Sequence, residues 1–185
     1  LHAQKFYTRN YNINDGLQSN KINTIFKDSR GFLWIGTDAG LARFDGTNFE
    51  ILSSQNGLCG NHISDICQGK DGVIWIATNN TGLAKLNGNT ITNFSTNSGV
   101  ISNNIVKLNY SKKLQTLFIG TDNGLTTYND TLGFKTFQYR QRNIYSRLQI
   151  TDFKELNGEV LIFTNGSGVF KYLKELKDIV KQDFN

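Results

Sequence analysis

The chain has 185 residues, of which 38% are hydrophobic and 19% charged, enough apolar content for an ordered core and too much for a disordered chain. It holds 18 Gly and 23 Asn, residues that favour turns and left-handed backbone, and no Pro or Met, which argues against a helical bundle and for many short strands joined by tight turns. The net charge of +5 is spread along the chain, and no stretch approaches the ~20 apolar residues of a membrane helix.

Residues 1–4, Leu1-His2-Ala3-Gln4, read as a leader that resembles the tail of a signal peptide cleaved after Ala3. Together with the missing Met they predict a processed, exported chain or a piece of something longer. Residues 5–11, KFYTRNY, read as a lone strand. After it come four apolar runs, Ile22 to Phe26, Phe32 to Thr37, Leu41 to Phe44 and Phe49 to Leu52. Each is bounded by Gly, Asn or Asp turns, and none holds a helical period over 11 residues.

This pattern then repeats. GLQSN, GLCGN and GVISN begin at Gly16, Gly57 and Gly99, and the segments FLWIGTDAGLARF, VIWIATNNTGLAKL, TLFIGTDNGLTTY and VLIFTNGSGVFKY carry Thr37, Thr78, Thr121 and Thr164 at equivalent places. Steps of 41 to 43 residues with four short strands each are the signature of β-propeller blades. The blades are expected over 16–56, 57–98, 99–138 and 139–185, an all-β architecture of about four four-stranded antiparallel meanders. Trp34, Trp75, Phe118 and Leu161 share one place in the second strand and are expected between neighbouring blades, while Gly40, Gly82, Gly124 and Gly168 are expected to supply positive φ at the next turn. Asn20, Asn61 and Asn103 also recur in register and are expected to cap their turns.

These residues resemble the two-component regulator propeller repeat, whose pattern is a GL-S-N turn, a short strand, G-LWIGT and then GL-RF. The first copy matches almost throughout, the second has Ala77 for Gly, the third Phe118 for Trp, and the fourth replaces its turn by YRQRNIYSRL. The resemblance implies part of a seven-bladed propeller in the periplasmic sensor region of a hybrid histidine kinase, sensing a poly- or oligosaccharide product. Seven blades need about 300 residues, so the resemblance also implies further blades of the same protein, with residues 5–11 completing the last blade of the ring. A membrane helix would follow downstream, and a homodimer is a further expectation. The competing readings are a stand-alone secreted carbohydrate-binding or scaffold propeller and, more remotely, a sialidase-like glycosidase, for which the Asp28-Ser29-Arg30-Gly31 turn before Trp34 lacks the Ser-x-Asp-x-Gly spacing.

No catalytic residue, cofactor or metal site is expected. No Ser, His and acid arrangement, HExxH or phosphate-cradling loop can be assembled, and the spacing of Cys59, His62 and Cys67 is no zinc pattern. Loops entering the first strand and loops between strands two and three should share one face, where Asn, Asp and Thr can pair with sugar hydroxyls. Asp38, His62, Asn80 and Asp122 are the ligand candidates there. A second group is Arg140, Arg142, Tyr145 and Arg147, where guanidinium groups beside tyrosines suit an acidic glycan. Nucleic acid is not expected as a partner.

Overall fold

The computed structural model describes residues 8–137, 139–141, 144–146, 148–175 and 178–182. Each apolar run is a strand because it can bury both of its faces only by stacking sheets on either side. Blade 1 is β1 (Ile22–Lys27), β2 (Leu33–Thr37), β3 (Leu41–Phe44) and β4 (Phe49–Leu52). Blade 2 is β5 (Ile63–Gln68), β6 (Ile74–Thr78), β7 (Gly82–Asn87) and β8 (Thr90–Phe94). Blade 3 is β9 (Ile105–Ser111), β10 (Thr116–Thr121), β11 (Gly124–Asn129) and β12 (Gly133–Phe137). A hairpin of β13 (Tyr139–Gln141) and β14 (Ile144–Ser146) precedes blade 4, which is β15 (Ile150–Leu156), β16 (Glu159–Thr164), β17 (Gly168–Leu173) and β18 (Asp178–Gln182).

Every blade is an antiparallel meander with its strands in sequence order. The first strands are innermost: β1 packs on β5, β5 on β9 and β9 on β15, while no comparable packing joins β15 to β1 among the described residues. The four blades therefore form an arc of a propeller, as the repeat predicts.

Three cores lie between the blades. Trp34 and Leu41 of blade 1 are buried against Ile63, Ile66, Ile74 and Ile76 of blade 2. Trp75, Ala77 and Leu83 meet Ile105, Leu108, Leu117 and Ile119, and Phe118 and Leu125 meet Ile150, Phe153, Val160 and Ile162. Burying each of these large side chains contributes about 2–3 kcal/mol, which is what holds blade to blade. The blade 1 side of the arc lacks this cover. Ile25 is 63% exposed, whereas its counterparts Ile66 and Leu108 are 4% and 6% exposed.

Polar cross-links tie the inner strands together. The Asn23 amide donates to the Ile63 carbonyl at 2.9 Å and the Ser64 hydroxyl to the Ile105 carbonyl at 2.6 Å. The buried Asp65 carboxylate accepts from the Thr24 hydroxyl at 3.2 Å and the Leu108 amide at 2.9 Å, with Lys107 Nζ at 3.5 Å. One carboxylate thus joins three blades.

Of the lone strand expected over residues 5–11, residues 5–7 lie outside the described residues, and residues 8–11 are not paired as a strand. Instead the Tyr11 ring packs edge-on against Phe44 and Phe49 at 5.1 and 5.6 Å. The stretch that breaks the repeat pairs as a short hairpin, with Arg140 opposite Tyr145 in register; Arg142 and Arg147 lie outside the described residues.

Candidate functional site

The blades present two loop faces. On the first, the loop entering each first strand meets the turn between strands two and three: the amides of Asn79, Asp122 and Asn165 donate to the carbonyls of His62, Asn104 and Gln149 at 2.9, 3.4 and 2.8 Å. The shared face expected from topology is therefore present. Thr37, Thr78, Thr121 and Thr164 each donate their hydroxyl to the carbonyl of the glycine that follows, at 2.6–2.8 Å. Those glycines, Gly40, Gly82, Gly124 and Gly168, have φ between 93° and 150°, a region that L side chains resist.

The recurring asparagines also work on the backbone. The carbonyl oxygens of Asn20, Asn61 and Asn103 accept from the amides of Ile13, Ser54 and Thr96, at the starts of three short 3-10 turns (Ile13–Asp15, Ser54–Asn56 and Thr96–Ser98). These turns are too short for any periodicity to reveal, and each closes on a left-handed glycine of the GL motif.

Asp38 and Asp122 interact with neighbouring side chains of the same face. A hydrogen bond from Ser19 holds the Asp38 carboxyl below its ordinary pKa, helped by the nearby charges of Lys21 and His62 and opposed by partial burial. Asp122 accepts from the Ser102 hydroxyl at 2.7 Å and from the Asn104 amide at 3.2 Å. Both occupy one repeat position, directly after the threonine, filled by Asn79 and Asn165 in the other blades. In blade 4 the Asn165 amide donates to Gln149 at 3.0 Å. Blade 2 differs because Gly60 stands where Ser19 and Ser102 do; a Cβ there would lie 2.0 Å from Thr81 Oγ1, and Asn79 Oδ1 is buried without a partner. The His62 charge is the weakest of the influences named on Asp38, while Asn80 is exposed on the same face with a left-handed φ of 68°.

The opposite face carries the turns between first and second strands. In blade 1 Asp28 folds that turn around its carboxylate, which accepts from the amides of Arg30 and Phe32 at 2.9 and 3.1 Å and from Trp34 Nε1 at 3.0 Å. Burial raises the Asp28 pKa, but these bonds and the Arg30 charge outweigh it and hold the carboxyl below its usual value. In blade 2 Gly69 replaces Asp28, and a Cβ there would lie 2.7 Å from Trp75 Nε1. Between these turns and blade 3 opens a cavity of about 300 Å³, lined by Ser29, Gln68, Lys70, Asp71, Tyr110, Lys112 and Gln115. Composition and spacing gave no hint of it.

Cys59 and Cys67 are free thiols that pack against different inter-blade cores, and burial pushes both pKa values up, with the Asp65 charge adding to the effect on Cys67. Among the described residues no three His, Cys, Asp or Glu side chains converge as a metal site, and no helix is long and apolar enough to cross a membrane.

Stacked four-stranded meanders around inner first strands define the class: a β-propeller. Residues 16–39 and 57–80 match the two-component regulator propeller, so the chain carries that repeat in its first two blades. Over 80 residues it is 34% identical to histidine kinase P4 of Formosa agariphila, covering 38% of this chain and 6% of the kinase. The extracellular domain of a hybrid two-component system from B. thetaiotaomicron superposes with a TM-score of 0.75 at 23% identity, over 95% of this chain and 26% of that domain. The same blade stack occurs in an enzyme, the virginiamycin B lyase of Staphylococcus aureus, with a TM-score of 0.64 at 14% identity, over 82% of this chain and 52% of the lyase. The chain thus spans a small part of the curated relative and about a quarter of the solved extracellular domain.

Proposed function

We propose that this chain is part of the extracytoplasmic, ligand-sensing propeller of a hybrid histidine kinase, that it binds rather than catalyses, and that its ligand is a poly- or oligosaccharide product. The observation that carries the reading is the in-register match of blades 1 and 2 to the regulator propeller repeat, together with 34% identity to a histidine kinase across 80 residues. The open side of blade 1, where Ile25 stands exposed, supports further blades of the same protein closing the ring. Ligand capture would bias the kinase by favouring one packing of the propeller over another. On the first loop face His62 and Asn80 keep side chains that no hydrogen bond within the described residues engages, and they are the ligand contacts in this reading, with the Arg140–Tyr145 hairpin as a second contact region.

The test is the gene downstream of the Asn185 codon and the intact product. A membrane helix followed by a kinase core, and autophosphorylation that changes when an oligosaccharide panel is titrated, are the expected results. A stop codon at that point, or an intact kinase indifferent to the whole panel, overturns the reading.

A further inference from the structure

The cavity on the second loop face has the makings of a binding site. Its volume of about 300 Å³ is at the lower end of the range of small-molecule sites, about 300–1,000 Å³. One wall is fixed across blades 1 and 2: the Ser29 amide donates to Gln68 Oε1 and Gln68 Nε2 donates to the Ser29 hydroxyl, both at 3.0 Å. The other wall is blade 3, where Tyr110 and Gln115 line the space.

Two cations, Lys70 and Lys112, and one carboxylate, Asp71, line this space, so the cations outnumber the acid, and among the described residues none of the three is engaged in an ion pair. The arginines nearby are committed: Arg30 to Asp28 at 3.4 Å and Arg43 to Glu50. Tyr110, like any tyrosine, keeps its phenolic proton at neutral pH, and burial first and then the charges of Asp130 and Asp71 push its pKa further up. It can therefore donate to an oxygen of a ligand. Gln115 holds a left-handed φ of 49°, strain that a glycine would avoid and that keeps an amide at the rim. A second cavity, of about 450 Å³, adjoins the first across the Asp71–Gly72 turn and shares Ser29 with it, giving room for a ligand longer than one ring.

We propose that this cleft binds a small hydroxylated oxyanion, a sugar acid or a sugar phosphate. Lys70 and Lys112 hold the anionic group, and Tyr110, Gln68 and Gln115 meet the hydroxyls. Acid and phosphate share the charge and the hydroxyl pattern, and separate titrations tell them apart. The site stands on the cavity and its unpaired lysines, whether or not the protein proves to be a sensor.

The test is calorimetric titration of the intact protein with galacturonate, glucose 6-phosphate, glucose and inorganic sulfate, at low and at high salt. One or both sugar anions should bind at least about tenfold more tightly than glucose, a gap of about 1.4 kcal/mol, and binding should weaken as salt rises. Lys70→Ala/Lys112→Ala should weaken that binding about tenfold or more and Tyr110→Phe severalfold, while Lys154→Ala on blade 4 leaves it unchanged. Equal affinity for glucose, equal affinity for sulfate, an unaffected double variant, an equal loss in Lys154→Ala or no binding at all each overturns the proposal. None of these readouts depends on a kinase signal, so failure here and failure of the sensing reading are distinguishable.

Discussion

The two loop faces meet the same need, a tight turn at each end of every blade, in different ways. On the first face one solution recurs: a threonine bonded to the glycine carbonyl in all four blades, an asparagine on the preceding 3-10 turn in three, and a serine facing the next acid in two. On the second face the solutions vary more: a wrapped carboxylate at Asp28 in blade 1, a left-handed pair at Asp71-Gly72 in blade 2 and again at Asn157-Gly158 in blade 4, and a left-handed Gln115 in blade 3. The cavity opens on the second face, between the turns of blades 1 and 2 and blade 3.

Glycine substitution should break this contrast most sharply. At Gly82 on the first face φ is 107° and an added Cβ would lie 2.3 Å from the Phe94 carbonyl oxygen. Gly82→Ala is expected to cost about 3–4 kcal/mol, strain and overpacking together. At Gly31 on the second face φ is 95° but nothing lies within 4 Å of the added atom, so Gly31→Ala should cost only about 1–2 kcal/mol. Urea midpoints of the two variants test this, and equal losses would show that the faces are equally tight.

Asp28 offers a test within the second face. Its carboxyl has a lower pKa folded than unfolded, so its contribution is fully present above the unfolded value of about 3.9 and is lost as pH falls through the folded value. Asp28→Asn keeps the shape but not the charge, and should destabilise by about 1–2 kcal/mol near neutrality. That difference from the parent should shrink steadily below about pH 4. A gap that stays constant with pH would mean that the charge contributes nothing to the turn.

The first face can be sharpened by its own repeats. Asn61→Ala and Asn103→Ala remove equivalent caps in blades 2 and 3, and each should cost about 1 kcal/mol. Matching thermal shifts would establish that the motif does one structural task in every copy, and a cost confined to one blade would break that equivalence.

What could be read from the residues follows the same division. Blade number, strand order, the inter-blade aromatics, the left-handed glycines and the capping asparagines are all legible because a repeat states each of them several times. Asp38 and Asp122 stand out by identity as ligand candidates, whereas setting them in register with Asn79 and Asn165 shows that they also occupy a turn position. Asp65 and the second-face cavity leave no sequence mark. Their neighbours come from three blades, about 40 residues apart at each step, and only the stacking of blades brings them together.

Gln115 carries the smallest and most discriminating prediction. A non-glycine residue at φ 49° costs about 1–2 kcal/mol in backbone strain, and glycine relieves it while loosening the unfolded chain by about 0.5–1 kcal/mol. Gln115→Gly should therefore leave stability unchanged or raise it by about 0.5–1 kcal/mol, read as a small upward shift in the urea midpoint. The same variant removes an amide from the cavity wall and should weaken sugar-anion binding severalfold. Stability gained while binding is lost would mark strain kept for function, whereas stability gained with binding intact would make Gln115 an ordinary turn residue and leave the cleft to its lysines and Tyr110.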